Sequence, residues 1–249
     1  MAFEGWDNGQ PPKAWDRILA IDVGGATPWC WLFSAIDPFG NIIVYDEIYL
    51  ITTDVEKLVN LALPKMKAPD GTALTFRYKV CDYENRVAMA DIEKMSKRVI
   101  RVDGALKHGK AGSIHRLHGY LHPNEQHHFP NWHPAAGTAG SPRLFIAPWV
   151  KNLIRELPQQ RWKEQANGLS LKDEPDRTID NHAVDCLLYT VRQLPNPTEL
   201  KATPGQMEHK AKSLISRMYW EDVQRRKEQL APEGRKTYRI TRGGVTMLN

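Results

Sequence analysis

The stretch at residues 17–23, RILAIDV, constrains the fold more than any other part of the chain. It is compact and almost wholly apolar, and Gly24-Gly25 follow it. A continuous apolar run of this length beside a turn signal is the pattern of a strand buried on both faces. Asp22 lies near its end. An ionised carboxylate in such a strand costs several kcal/mol unless it meets a cation or several donors. Two readings follow: a cap on the glycine turn, or a metal ligand presented at the edge of a central strand.

The rest of the chain is read around that strand. Residues 1–16 form a lead-in segment. Residues 29–36 (WCWLFSAI) and 42–51 read as strands joined by a turn at 37–41, which completes an antiparallel meander. Helical periodicity marks 55–66, with Thr53 as the expected N-cap. A strand at 76–81 (FRYKVC), a helix at 86–97 and a short strand at 99–102 come next. Residues 103–142, dense in Gly, Pro and His, read as one long irregular insertion. A strand at 143–146, a helix from Pro148 to Leu157, a polar stretch at 158–178 and a helix at 180–194 complete the body. Pro195 and Pro197 stop that last helix. The expected fold is a mixed α/β sheet over residues 17–195 with helices on both faces. A tail at 196–249 carries a charged helix (206–229) and a basic, loose or β-forming end.

Two further acidic positions repeat the logic of Asp22. Asp82 sits at the C-terminal end of FRYKVC, where open α/β sheets place their chemistry. It also reads as a cap for the next helix, and Glu84 is an alternative to it. In DNHAVDCLLY (180–189), His182 and Asp185 are three apart and share a helix face. Asp185 is bracketed by Val184, Cys186 and Leu187, so its carboxylate lies close to packed core. Asp180 and His182 each have an ordinary reading, as an N-cap and as a structural histidine. Carboxylates from a first strand, a middle strand end and a late helix can together bind two divalent cations, Mg²⁺ or Mn²⁺. Such a pair activates water and stabilises the leaving oxygen of a phosphodiester.

This order of strands and acids resembles the RNase H-like (retroviral integrase) superfold. Within it, the chain resembles the nuclease domain of the large terminase subunit of tailed bacteriophages. The resemblance rests on RILAIDVGG, on YKVCDYEN, and on RLFIAPWVKNLIREL with the later DNHAVDCLLYTVR, over roughly residues 15–195. It implies a two-metal endonuclease with Asp22, Asp82 and Asp185 as catalytic metal ligands, and His182 and Asp180 as auxiliary residues. Asn181 stands where many relatives have a second aspartate. The resemblance further implies cutting of concatemeric double-stranded viral DNA during packaging, in the cytoplasm of the infected bacterial host. The implied partners are a portal, a small terminase subunit and a packaging ATPase. The chain contains no GxxxxGK[ST] motif, since HGKAGS at 108–113 lacks the leading glycine spacing. It is expected to be an excised domain or the product of a split gene. A Holliday-junction-type resolvase, or a non-catalytic DNA-binding or docking module, are the alternatives.

Charge refines the picture. The net charge is +5, and residues 1–197 hold 23 Lys+Arg against 23 Asp+Glu, so the whole excess lies in the last 52 residues. The neutral body still has a local basic run: Lys94, Lys97, Arg98, Arg101, Lys107, Lys110 and Arg116, opposed only by Asp103. Such a run suits either sequence-independent contact with DNA phosphates or a solvated face. Seven of the nine histidines lie at 108, 115, 118, 122, 127, 128 and 133, which opens zinc binding, DNA contact or a plain solvated loop as readings. Three cysteines without a CxxC spacing argue against a disulfide framework. No apolar run approaches the roughly 18 residues of a membrane span, and the N-terminus lacks a signal-peptide core.

Overall fold

The computed structural model describes residues 9–105, 109–161 and 179–197, and the backbone of 238–241 and 244–247. The apolar run forms strand β1 (Asp16–Asp22), buried from Arg17 to Ile21. Arg17 is enclosed at the strand's start, where its guanidinium donates to the carbonyls of Pro11, Pro12, Lys13 and Trp15 and ties the lead-in segment down. Strands β2 (Trp29–Ile36) and β3 (Ile42–Leu50) complete the meander. All of β2 is buried, so the sheet is covered on both faces. In the turn between them, the Asp37 carboxylate accepts from the Phe39 and Asn41 amides.

Helix α1 (Val55–Lys65) is capped by Asp54, not Thr53, because the Asp54 carboxylate accepts from the Lys57 amide at 3.0 Å. Strand β4 (Phe76–Cys81) lies parallel to β1, and helix α2 (Arg86–Met95) follows. The expected strand at 99–102 is displaced to β5 (Asp103–Gly104). The cause is local: Lys97 and Arg98 turn left-handed at φ 51° and 67°, and Ser96 Oγ bonds the Ile100 amide. Those bonds hold 96–100 as a loop that buries Ile100.

Residues 103–142 are far more ordered than their composition suggests. They contain helix α3 (Lys110–Leu121) and a hairpin of β6 (Asn124–His128) with β7 (Ala139–Ser141). Strand β8 (Leu144–Ile146), helix α4 (Lys151–Glu156) with a 3-10 turn at Leu157–Gln159, and helix α5 (His182–Arg192) follow. The main sheet has six strands in the order β5-β4-β1-β2-β3-β8, mixed parallel and antiparallel, and α5 packs on β1, β2 and β4. The chain divides into two compact units, residues 1–201 and 202–249. In the second, β9 (Tyr238–Thr241) and β10 (Gly244–Met247) form an antiparallel hairpin. The expected helix at 206–229 lies outside the described residues.

The β6–β7 hairpin is anchored by Arg143, almost wholly buried, which donates to Phe39 O at 3.1 Å and meets His127 Nε2 at 3.0 Å. A guanidinium has only donors, so His127 must be a neutral acceptor. Burial first, and then the Arg143 charge, hold the His127 imidazole down at about 4. Between pH 6.5 and 4 the unfolded chain therefore binds more protons at this residue than the folded one, and stability falls as pH falls. Allowing for its half-exposed ring, the loss is expected to be about 1 kcal/mol. Urea melts at about pH 7 and about pH 4.5, either side of most of that window, should show it. His127→Gln keeps an acceptor without a titrating proton and should remove that part of the pH dependence.

Candidate active site

Register places the first two acids together. Ile21 of β1 lies beside Cys81 of β4, so Asp22 and Asp82 leave neighbouring parallel strands at the same end. Adjacent strands are about 4.8 Å apart, which sets the spacing of the two backbones. α5 lies over that end and contributes His182 and Asp185. His182 Nδ1 meets Asp22 Oδ2 at 2.8 Å. Burial first raises the Asp22 carboxyl above its usual range, and the charges of Asp185 and Asp82 add to it. The hydrogen bond to Asp22 in turn raises the His182 imidazole. The two side chains thus form one hydrogen-bonded pair, and Asp22 feels the charges of both other acids.

Asp185 is held from two sides. Asn181 Nδ2 donates to Oδ2 at 3.0 Å, and the Lys110 ammonium contacts Oδ1 at 2.9 Å. An amide at 181 can make this contact, whereas a second ionised aspartate would repel Asp185. Asp82 Oδ1 accepts from the Glu84 amide at 3.2 Å. Glu84 itself is exposed and bonded to the Tyr83 hydroxyl. Asp180 is exposed, and its charge helps raise His182.

Three features of the site escape a reading of the sequence. Tyr189, one turn after Asp185, is pushed far up by burial and then by the charges of Asp22, Asp185 and Asp82. The i, i+4 spacing from Asp185 is the signal that could have found it. Each cysteine adjoins an acid: Cys30 pairs with Asp22 across the sheet, Cys81 precedes Asp82 and Cys186 follows Asp185. All three are buried free thiols. Finally, Glu156 is fully buried and accepts from the Ala183 and Val184 amides at 2.8 and 3.3 Å and from the Tyr49 hydroxyl at 2.6 Å. Asn181 makes no side-chain cap bond, so the first turn of α5 is served by a carboxylate from α4.

The basic run divides. Lys94, Lys97 and Arg98 are exposed around the left-handed turn, and Arg101 pairs with Glu93 at 3.3 Å. Arg116 is turned inward instead. Its guanidinium bonds the carbonyls of Val191, Arg192 and Leu194, the C-terminal end of α5, where Pro195 has no N–H to offer. Lys110 is drawn into the acidic site, and Lys107 lies outside the described residues. Of the histidines, His115, His118, His122 and His127 line a recess of about 330 Å³ with Arg143. His133 stacks on Phe129 at 4.6 Å, His128 ends β6, and His108 lies outside the described residues.

Among the described residues, no three His, Cys, Asp or Glu side chains are gathered to enclose a metal ion as they stand. For the histidines this leaves zinc without support, because zinc needs a near-complete set of protein ligands. The acidic site differs. Magnesium keeps several of its waters and needs only one or two carboxylates. The donor set of the three acids is all hard oxygen, and Asp185 already holds the Lys110 ammonium. These residues fit divalent cations.

Known structures share this architecture. The large terminase of a thermophilic bacteriophage matches 78% of the chain with TM-score 0.54 and 14% identity, over 45% of its own length. The same terminase in complex with ATP-γ-S matches 73% with TM-score 0.52 and 13% identity, over 40%. The P22 large terminase nuclease domain matches 77% with TM-score 0.53 and 8% identity, over 91% of that domain. The chain thus spans less than half of the thermophilic phage's terminase. No protein-family model matches the chain, and no curated protein matches it. At these identities the likeness is one of fold: the chain has the RNase H-like fold of a large-terminase nuclease domain.

Proposed function

We propose that this chain is a metal-dependent DNA endonuclease that cuts concatemeric double-stranded viral DNA during genome packaging. The observation that carries the reading is the convergence of Asp22 and Asp82 on neighbouring parallel strand ends beneath α5, which brings His182 and Asp185 to them. Three elements distant in sequence bring like charges together at one strand end, against the cost of Asp22's desolvation. Stability alone does not account for that placement. The fold shared with a terminase nuclease domain supports the same activity.

Asp22, Asp82 and Asp185 would hold two Mg²⁺ or Mn²⁺ ions, with Asp180 nearby. Bound there, the ions would supply an activated water and stabilise the charge of the leaving oxygen. His182 positions Asp22 through its Nδ1. Asn181 fixes the rotation of Asp185. Lys94, Lys97, Arg98 and Arg101 would track the DNA backbone, and strain supports this. Two successive non-glycine residues in the left-handed region cost about 1 kcal/mol each. Contact with phosphates alone reads no bases, which suits cutting at no fixed sequence. The implied partners are a portal, a small terminase subunit and a packaging ATPase, and the place of action is the cytoplasm of the infected bacterial cell.

The test is nicking of supercoiled plasmid by the full chain. Cutting is expected with Mn²⁺ or Mg²⁺ and none with EDTA. Strong preference for a four-way junction over linear duplex would instead identify a resolvase. No cutting and no divalent binding by calorimetry would identify a docking module.

A further inference from the structure

We propose that Lys110 is the built-in counter-ion of the acidic site. Its ammonium holds Asp185 in the cation-free protein, is displaced when a divalent cation takes that carboxylate, and is then free to meet a DNA phosphate. The inference rests on the nuclease reading above and adds a gate to it.

The geometry carries the first half. Lys110 Nζ lies 2.9 Å from Asp185 Oδ1, while Asn181 occupies Oδ2. The lysine thus stands on the one oxygen of Asp185 that is not already bonded by the Asn181 amide. The pair joins the first residue of α3 to α5 and is partly open to water, with side-chain exposures of 40% for Lys110 and 21% for Asp185. Solvent therefore has access from which an ion could arrive and into which the ammonium could swing.

The backbone beneath Lys110 is fixed while its head is not. α3 is clamped along α5 by Ser113 Oγ accepting from Arg192 Nε at 2.7 Å, by Arg116 on the last α5 carbonyls, and by the Tyr120 hydroxyl on Pro195 O at 2.8 Å. These bonds set the helix register and so deliver Lys110 over Asp185. Beyond Cα, four methylenes allow the ammonium to leave without moving the helix.

Helix stability does not explain the residue. A cation in the first turn opposes the helix dipole, and the first turn of α3 holds no acid to offset it. The charge pattern of the site does explain it. Asp22 has His182 as its hydrogen-bond partner, and Lys110 gives Asp185 a positively charged one. A divalent ion on Asp185 brings twice that charge, and repulsion then expels the ammonium. Displaced, it lies at the mouth of the site where a phosphate would sit.

The experiment is Mn²⁺ titration calorimetry on the full chain, wild type against Lys110→Gln and Lys110→Arg, with thermal melts in EDTA and in Mn²⁺. Removing the competing cation should tighten Mn²⁺ binding about tenfold in Lys110→Gln, within the usual range of site-to-site coupling. The same variant should melt lower in EDTA, gain more from Mn²⁺ than wild type, and nick plasmid more slowly at saturating Mn²⁺. Lys110→Arg, which keeps the charge, should bind Mn²⁺ as wild type does. Wild-type or weaker Mn²⁺ affinity in a folded Lys110→Gln overturns the proposal and leaves the nuclease reading standing. Absence of Mn²⁺ binding by the wild type overturns both.

Discussion

Asp22→Asn is expected to cut divalent-cation-dependent nicking by at least about 10³-fold, roughly 4 kcal/mol of transition-state stabilisation, while making the cation-free protein more stable. The two effects share one cause. Asp22 is desolvated, and the charges of Asp185 and Asp82 disfavour its ionised form further. An amide of the same shape removes that repulsion and still offers an oxygen to His182. A gain of about 1 kcal/mol is expected, equivalent to about 2–4 °C in the melting midpoint of a domain this size. Scanning calorimetry in EDTA and plasmid nicking in Mn²⁺ read the two sides. Asp185→Asn should lose cutting to the same degree without the stability gain, because it gives up its pair with Lys110. Asp82→Asn should also be inactive, whereas Glu84→Gln should cut within about twofold of wild type, since its exposed side chain bonds the Tyr83 hydroxyl and its amide contact with Asp82 is kept. Cutting retained in both Asp22→Asn and Asp185→Asn would sink the assignment.

What could be read in advance was what sequence-local physics fixes. The buried strand, its terminal aspartate and the shared face of His182 and Asp185 follow from periods of about 2 and 3.6 residues and from apolar density. The six-stranded mixed sheet follows from the order of those elements. What stayed hidden was set by remote partners. α3 contains Gly112 and Gly119, poor helix formers, and it survives because Ser113, Leu117 and Tyr120 bury one face while Arg116 bonds α5. Gly119 is required there, since a Cβ would come within 2.7 Å of Pro197 Cγ. The basic run likewise gave no hint that Arg116 closes a helix end or that Lys110 meets an acid. A charge in sequence shows its sign and not its partner.

Glu156 is the sharpest case of such a hidden residue, and Glu156→Ala is expected to destabilise the fold by about 3–4 kcal/mol, near 10 °C. In sequence it looks like one more polar residue at a helix end. In the fold it is fully buried with three donors aimed at it, two of them amides in the first turn of α5. The partial positive charge of that helix end stabilises the carboxylate, which is why a buried acid can persist there with Arg155 only at 3.8 Å. Truncation leaves the amides of Ala183 and Val184 buried without acceptors. The loss should reach the chemistry too, because His182 and Asp185 ride on that same turn. Mn²⁺ affinity should therefore fall in Glu156→Ala even at temperatures where the variant is fully folded. Tyr49→Phe separates the contributions. It removes one donor to Glu156, about 1 kcal/mol, and keeps the ring that packs edge-on to His182 at 6.3 Å. Chemical melts and Mn²⁺ calorimetry on both variants are the measurements. If Glu156→Ala melts with wild type, the carboxylate does not hold the helix start, and the placement of His182 and Asp185 must come from the α5 core contacts alone.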